Sequence, residues 1–475
     1  MNYEESVRAL LSLGKELAAP RQPARIPSTS LNATSTAAMP VQKFGLENIT
    51  ALAQDLGQPH RAVPCAHVAG TNGKGSTAAM LESILRSAGL RTGLYTSPHL
   101  ELVNERIRIN GENISDERFA AAWTRVHASI ESLMASGRLA AHPTFFECIT
   151  AMAFLTFAAN HIDFAIYEVG LGGRFDATNI VMPEVAIITP IDFDHENYLG
   201  HSIEEIAAEK AGIIKADAWV ASAAQRPEAR GVIVRRSAEM GARLVEVDES
   251  WHVEDLKVSH GLYSAAATFD HLPQKLAIAP ALPGRFQIQN ALTASTGARL
   301  LAERGFPVND EAIALGITTV RWPGRLERIS ERPDVYLDGT HNPAGARELL
   351  SFWEENFSGR RIFLVYGAMR DKAVDEMASL LFSRPETVIF TTPRQPRAIS
   401  AALLSEITGH FAKQSLIVSD PAEAVERAIQ LADPSDVVFI AGSLYLVGDI
   451  RALWRPQDTR LFSAKHPDGD HPGRL

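Results

Sequence analysis

Cysteine is scarce: Cys65 and Cys148 are the two thiols in 475 residues. That excludes a disulfide framework and a thiolate metal site, and it fits a reducing compartment. Basic charge is not in excess. Lys and Arg number 46 against 56 Asp and Glu, a formal net charge of −10. Nucleic acid needs a basic face, so it is excluded as the main partner, whereas a small acidic substrate needs only a local basic pocket. No run of about 18 apolar residues occurs, which excludes a transmembrane helix. The first residues carry Glu4 and Glu5 and no basic n-region, so no signal peptide is expected. A cytoplasmic protein without a membrane partner is the expectation. No internal repeat of fixed period is present.

What is present is alternation. The chain is 46% hydrophobic and 21% charged, ordinary for a globular protein. At roughly 100–200 residues per domain its length suggests two or three domains. The start shows apolar Val7, Leu10, Leu11 and Leu17 at helical spacing, and residues 20–42 are rich in Pro, Ser, Thr and Ala, an irregular stretch. From about residue 44, short apolar runs alternate with helical patterns. CAHVAG, RTGLYTS, DFAIYEVG and EVAIITPI are expected strands; 76–87, FECITAMAFLTFAAN and 202–215 are expected helices. This order predicts an α/β fold with a largely parallel sheet. A second α/β series follows 320, with strands at DVYLDG, RIFLVYGA, TVIFTT, SLIVS and DVVFIAG. Residues 317–327 serve as the hinge, 245–283 suggest short antiparallel strands, and the last residues suggest a frayed tail.

The stretch HVAGTNGKGST, 67–77, has the strand, glycine-rich loop and helix order of a phosphate cradle. Glycines let backbone N–H groups approach phosphate oxygens, and the helix start adds partial positive charge. Lys74 would reach the outer phosphates. Yet the position after this lysine, where a metal-binding hydroxyl is usual, holds Gly75. Further on, DFAIYEVG ends in Glu168, and glycines, Arg174 and Asp176 crowd behind it, at the strand end where α/β sheets bind ligands. Asp192, Asp194 and His195 follow another strand, and a metal-ligand reading of His195 stands level with that of a satisfied loop histidine. Lys210 shares a helical face with Ile203, Ile206, Ala207 and Ile214. Such a lysine either snorkels outward or is desolvated, with a lowered pKa. A neutral amine there could react with carbon dioxide to form a carbamate.

Nine motifs then occur in order: HVAGTNGKGST, YTSPHL, TFFE, YEVGLGGRFDATNIV, DFDHENYLG, EKAGI, RWPGRLE, DGTHNP and GSLYLVGDI. From about Phe44 to Arg451 the chain resembles the folylpolyglutamate synthase / dihydrofolate synthase family of the Mur ligase superfamily. The resemblance implies a P-loop-containing central domain of Mur-ligase type with a mostly parallel sheet, followed by a C-terminal Rossmann-like α/β domain. The expected division is 1–319, with 1–42 as lead-in, then 320–459, and a tail at 460–475. The implied reaction is ATP-dependent addition of L-glutamate to dihydropteroate and to reduced folates through an acyl phosphate. The alternatives are a monofunctional folylpolyglutamate synthase, another Mur-type ligase, or a nucleotide-binding regulatory protein.

The resemblance also implies residue roles. Thr71, Asn72, Gly73, Lys74, Gly75 and Ser76 would hold ATP, together with Asn290, Arg325 and Asp338. Ser97, Glu168 and His195 would bind Mg2+, with room for a second Mg2+ and for K+. Lys210 would be the carbamylated lysine, and Lys74, Lys210, His195 and His341 the catalytic set. The pterin or folate would meet Lys43, Phe44, Gly45 and Leu46, then Thr144, Phe145, Phe146 and Glu147, then Phe175, Asp176 and Ala177. Phe145, Phe146 and Phe175 could stack a flat ring. A monomer is implied. Departures from the family pattern are the composition of 20–42, Phe286 in place of His, Thr340 in place of Ala, and Glu196-Asn197 in place of Thr-Asp.

Overall fold

The computed structural model describes residues 1–13, 45–270 and 274–454. Leu17, Lys43, Phe44, the stretch 20–42 and the tail therefore lie outside the described residues. Three sheets organise the rest. The first contains β1 (Cys65–Ala69), β2 (Thr92–Tyr95), β3 (Ile107–Ile109), β4 (Glu112–Asn113), β5 (Phe164–Glu168), β6 (Val185–Ile188), β7 (Trp219–Ser222) and β8 (Arg243–Glu246). Their order is β4-β3-β2-β5-β1-β6-β7-β8. Pairing is parallel from β2 to β8, and β3 and β4 form an antiparallel edge.

Every residue of β1 and β5 is buried, because helices cover both faces. Side chains alternate across the sheet. Val68, Ile166 and Ile187 join Leu81, Ile84 and Ala294 in one core, while Cys65, Ala165 and Tyr167 join Ile149 and Phe154 in the other. The central position of β1 places three strand ends side by side. Gly70 follows β1, Glu168 ends β5, and Asp192–His195 follow β6. Segments far apart in the chain thus meet at the carboxyl edge of one sheet.

Residues 245–283, expected to be short strands, form longer ones: β9 (Trp251–Ser259), β10 (Leu262–Phe269) and β11 (Lys275–Ile278), all antiparallel. The third sheet contains β12 (Glu327–Glu331), β13 (Asp334–Leu337), β14 (Ile362–Tyr366), β15 (Thr387–Phe390), β16 (Ser415–Ile417) and β17 (Val437–Ala441). The order is β12-β13-β17-β14-β15-β16, parallel except at β12. The helix expected over 202–215 is shorter, Ile203–Ala211. Ile213 and Ile214 are buried from the following turn, so the apolar pattern outlasts the helix.

Helix Asp310–Thr319 packs directly on helix Lys74–Ser87. A Cβ on Gly316 would lie 2.4 Å from both the Cα and the N of Ile84. Alanine has the better helix propensity, but backbone on both sides leaves no room. Gly316→Ala is expected to destabilise by about 1–3 kcal/mol, read as a lower midpoint in urea unfolding.

Candidate functional site

The glycine-rich turn ends at Gly73, which caps helix Lys74–Ser87 in a left-handed conformation, φ +85°, with no side chain closing the cap. The first-turn amides are left without a side-chain acceptor, the arrangement that receives anions. A Cβ at Gly73 would also sit 2.4 Å from Oδ1 of Asn290. Asn290 Nδ2 donates to Gln287 (2.9 Å), which holds that amide against the turn. At Gly75 a Cβ would lie 3.0 Å from the indole N of Trp322, and Arg108 stacks over the same indole at 4.7 Å. Thr71 ties the turn to the next loop: its hydroxyl donates to the Asp192 carbonyl (2.9 Å) and accepts from the Asp192 N–H (3.1 Å). Ser76 is buried in the first helical turn.

Two buried lysines end at this turn. Lys74 Nζ donates to the carbonyls of Gly70 and Thr71, both at 3.1 Å. Lys210 Nζ donates to the same Gly70 carbonyl at 2.9 Å. Lys210 therefore does not snorkel: it is buried on the apolar face as the helical spacing placed it. Burial, helped by Lys74, pushes its pKa down to about 7. Burial also lowers Lys74, while Glu168 and Asp194 favour its charge. Glu168 is buried and accepts from the Ser97 N–H at 3.1 Å. Burial raises its pKa, opposed first by Lys74.

Asp194 collects cations. Burial works against its charge, but His341, Lys372 and His195 hold its carboxyl well below the usual range. Lys372 Nζ lies 2.7 Å from Oδ1. His341 Nε2 lies 3.7 Å from Oδ2, with its Nδ1 at 2.7 Å from the Gly339 carbonyl. His195 has a left-handed backbone, φ 54°, and donates its N–H to Asp194 (2.9 Å). Its pKa is pushed down to about 3 by burial and then by Lys372, so the ring is neutral and able to offer a lone pair. Among the described residues no group of three or more His, Cys, Asp or Glu gathers as a metal cluster. Ser97, Glu168 and His195 contribute two such side chains and one hydroxyl, a mixed donor set.

Arg325 and Asp338 come from the other side. Arg325 is packed against Gly339, where a Cβ would meet its Nη1, and borders a narrow cleft with Gly75, Ser97 and Glu168. Asp338 accepts from the N–H groups of Leu326 and Thr340, both at 2.9 Å. Its carboxylate therefore shapes the loop that carries Arg325.

A cavity of about 880 Å³ opens beside these groups, walled by both α/β units. Of the residues expected at the pterin, Gly45, Thr144, Phe146, Glu147, Phe175, Asp176 and Ala177 line it, with His195 and His341. Phe145 does not. It is 3% exposed inside the core, under the Arg106 guanidinium at 5.1 Å; adjacent helical residues point about 100° apart, so one of the pair turned inward. Leu46 also packs toward the core rather than the cavity. Glu147 accepts from the N–H and hydroxyl of Thr144 (2.8 and 2.9 Å), and Asp176 from the N–H groups of Gly170, Leu171 and Thr178. These two acids organise backbone at the cavity wall. Lys372 and Arg397, also in the wall, were missed in the sequence; the signal was the charged triplet Arg370-Asp371-Lys372 shortly after β14. Asn342 was missed as well.

Models of the Mur ligase middle domain and of the Mur ligase glutamate ligase domain match residues 68–298 and 324–444. The dihydrofolate synthase/folylpolyglutamate synthase of Bacillus subtilis is 38% identical over 417 residues, 86% of this chain and 94% of that protein. The chain belongs to this family. The Escherichia coli protein of the same name is 33% identical, covering 86% of this chain and 90% of that one. Among solved structures similar to this family member is the Mycobacterium tuberculosis folylpolyglutamate synthase complexed with ADP and AMPPCP. Its TM-score is 0.82 at 33% identity, over 87% of this chain and 96% of that one. The E. coli protein in complex with DHPP and ADP has a TM-score of 0.78 at 30% identity, over 95% and 97%. The mixed α/β fold with parallel sheets is thus that of the family, as is its use of ATP.

Lys210 generates a test of its own. Its folded pKa lies below the unfolded value of 10.5, so between those values the unfolded chain binds the extra proton. Stability must rise with pH across that window. In carbon-dioxide-free buffer, the urea midpoint of the protein should climb from pH 7 to pH 9 relative to that of Lys210→Met.

Proposed function

We propose that the protein is an ATP-dependent amide ligase that joins L-glutamate to dihydropteroate and to reduced folates through an acyl phosphate. The observation that carries this reading is a juxtaposition. An uncapped helix start with Lys74 borders, at Gly75, a narrow cleft, and Ser97, Pro98 and Leu444 of that cleft also line a cavity of about 880 Å³ walled by both units. ATP phosphates would lie on the turn 71–76, with Asn290, Arg325 and Asp338 supporting the nucleotide side. The relatives' names supply the substrates.

The reaction needs positive charge at the transferring phosphoryl group. Lys74 and Arg325 offer it from opposite units, and closure would exclude water from the acyl phosphate. Ser97, Glu168 and His195 fit Mg2+ by donor chemistry: a hydroxyl, a buried carboxylate and a neutral imidazole around one strand edge. When bound, Mg2+ would neutralise phosphate charge; a second Mg2+ and K+ belong to the same proposal. With a pKa of about 7, Lys210 is half neutral near physiological pH, which supports a carbamate. Phe146 and Phe175 remain as faces for the pterin. We place the division between units at 319/320 and expect a monomer acting in the cytoplasm. Among the described residues no helix is long and apolar enough to cross a membrane.

A monofunctional reading has support from the Lacticaseibacillus casei relative named folylpolyglutamate synthase, 34% identical over 85% of this chain. Phosphate release from ATP should require glutamate together with a pteroate or folate. Turnover with tetrahydrofolate but not with dihydropteroate selects the monofunctional reading, and equal release without either acceptor overturns the ligase. Lys210→Ala should lower turnover by at least about a hundredfold with an unchanged circular dichroism spectrum. With 13C-bicarbonate a carbamate carbon resonance should appear in the protein and be missing from the variant.

A further inference from the structure

Asn342 sits in DGTHNP, between His341 and the helix Pro343–Asn356, and is 2% exposed. Its carboxamide faces another carboxamide across the boundary between the units. Asn72 Nδ2 donates to Asn342 Oδ1 at 3.1 Å, and Asn342 Nδ2 donates back to Asn72 Oδ1 at 2.9 Å. The second hydrogen on Asn342 Nδ2 reaches Asp194 Oδ2 at 3.2 Å. Its Oδ1 also accepts from the Gly345 N–H at 2.8 Å, which makes it the cap of its own helix. One amide thus touches the glycine-rich turn and the loop bearing His195 in the opposite unit, and the start of its own helix.

We propose that Asn342 is a positioning residue that sets the Asn72 turn and the Asp194–His195 loop in one arrangement when the C-terminal unit is docked. The inference deepens the ligase reading and rests on it for the consequence to catalysis. A reciprocal amide pair has two directional bonds and forms only when both units present their carboxamides in register. Lys372 reinforces the same contact, since it too crosses to Asp194. The turn and the His195 loop belong to one sheet, yet nothing within that sheet gives Asn72 this partner. Separation of the units would remove three hydrogen bonds at once and leave Asn72 free to rotate.

Asn342→Ser and Asn342→Asp separate positioning from capping, because Ser and Asp both cap helices well. Serine is too short to reach Asn72. Aspartate lacks the donor and brings a negative charge to Asp194. Amide hydrogen exchange of the ligand-free full chain should show faster exchange at 70–76 and 192–196 in both variants, with helix 343–356 still protected. Turnover should fall about tenfold, the scale of one or two lost hydrogen bonds, with the KM for the pteroate or folate acceptor little changed. Unchanged exchange at 70–76 in both variants overturns the proposal. So does a loss of protection confined to 343–356, or a fall in activity that tracks helix unfolding alone. Exchange is read without substrate, so a failure of the ligase reading would leave this result standing and be recognised separately.

Discussion

Two lysine amines share one carbonyl oxygen. Lys74 and Lys210 both donate to Gly70, at the carboxyl end of the central strand of an eight-stranded sheet. Buried cations in such proximity need negative partners within reach. Glu168 and Asp194 supply them from the ends of neighbouring strands. The sheet order follows the same demand, since β1 must lie between β5 and β6 for both acids to flank the lysines. Within this network, burial lowers both lysines and raises Glu168, while Glu168 and Asp194 favour the charge on Lys74 and Asp194 favours that on Lys210.

That network extends through Asp194 into the second unit, by way of Lys372, His341 and Asn342. The cavity is the geometric result. Its floor combines strand-end loops of the first sheet with residues 45–48 and 140–147, and its far wall comes from loops following β13, β14, β15 and β17. Two acids in its wall organise the backbone around it. Glu147 and Asp176 accept several hydrogen bonds from nearby backbone and hydroxyl groups, and so define the surface on which a ring could lie.

Much of this was legible in the sequence because it is periodic or punctuated. The mostly apolar runs at 65–69 and 164–168, which include His67 and end in Glu168, gave buried strands, and glycines with a lysine gave the strand-to-helix turn. The 203–210 spacing placed Lys210 on the apolar face and left outward snorkelling open; the structure buries it. Other features depend on tertiary packing. Phe145 and Phe146 are chemically identical neighbours, and only the surrounding helices decide which faces the cavity. Ile213 and Ile214 are buried without being helical, so the apolar pattern overran the helix end. Lys372 lies 178 residues from Asp194, a pairing that no local signal encodes.

Gly75 shows how the segment joining the units bears on the turn. The indole of Trp322 rests where a side chain at 75 would begin, and Arg108 covers the indole from outside. A hydroxyl at 75 would therefore displace the tryptophan first and the arginine next. Positions 75, 322 and 108 form one stacked unit, so room for a side chain at 75 must be taken from 322. The missing hydroxyl is thus less a property of the loop than of the connector laid over it.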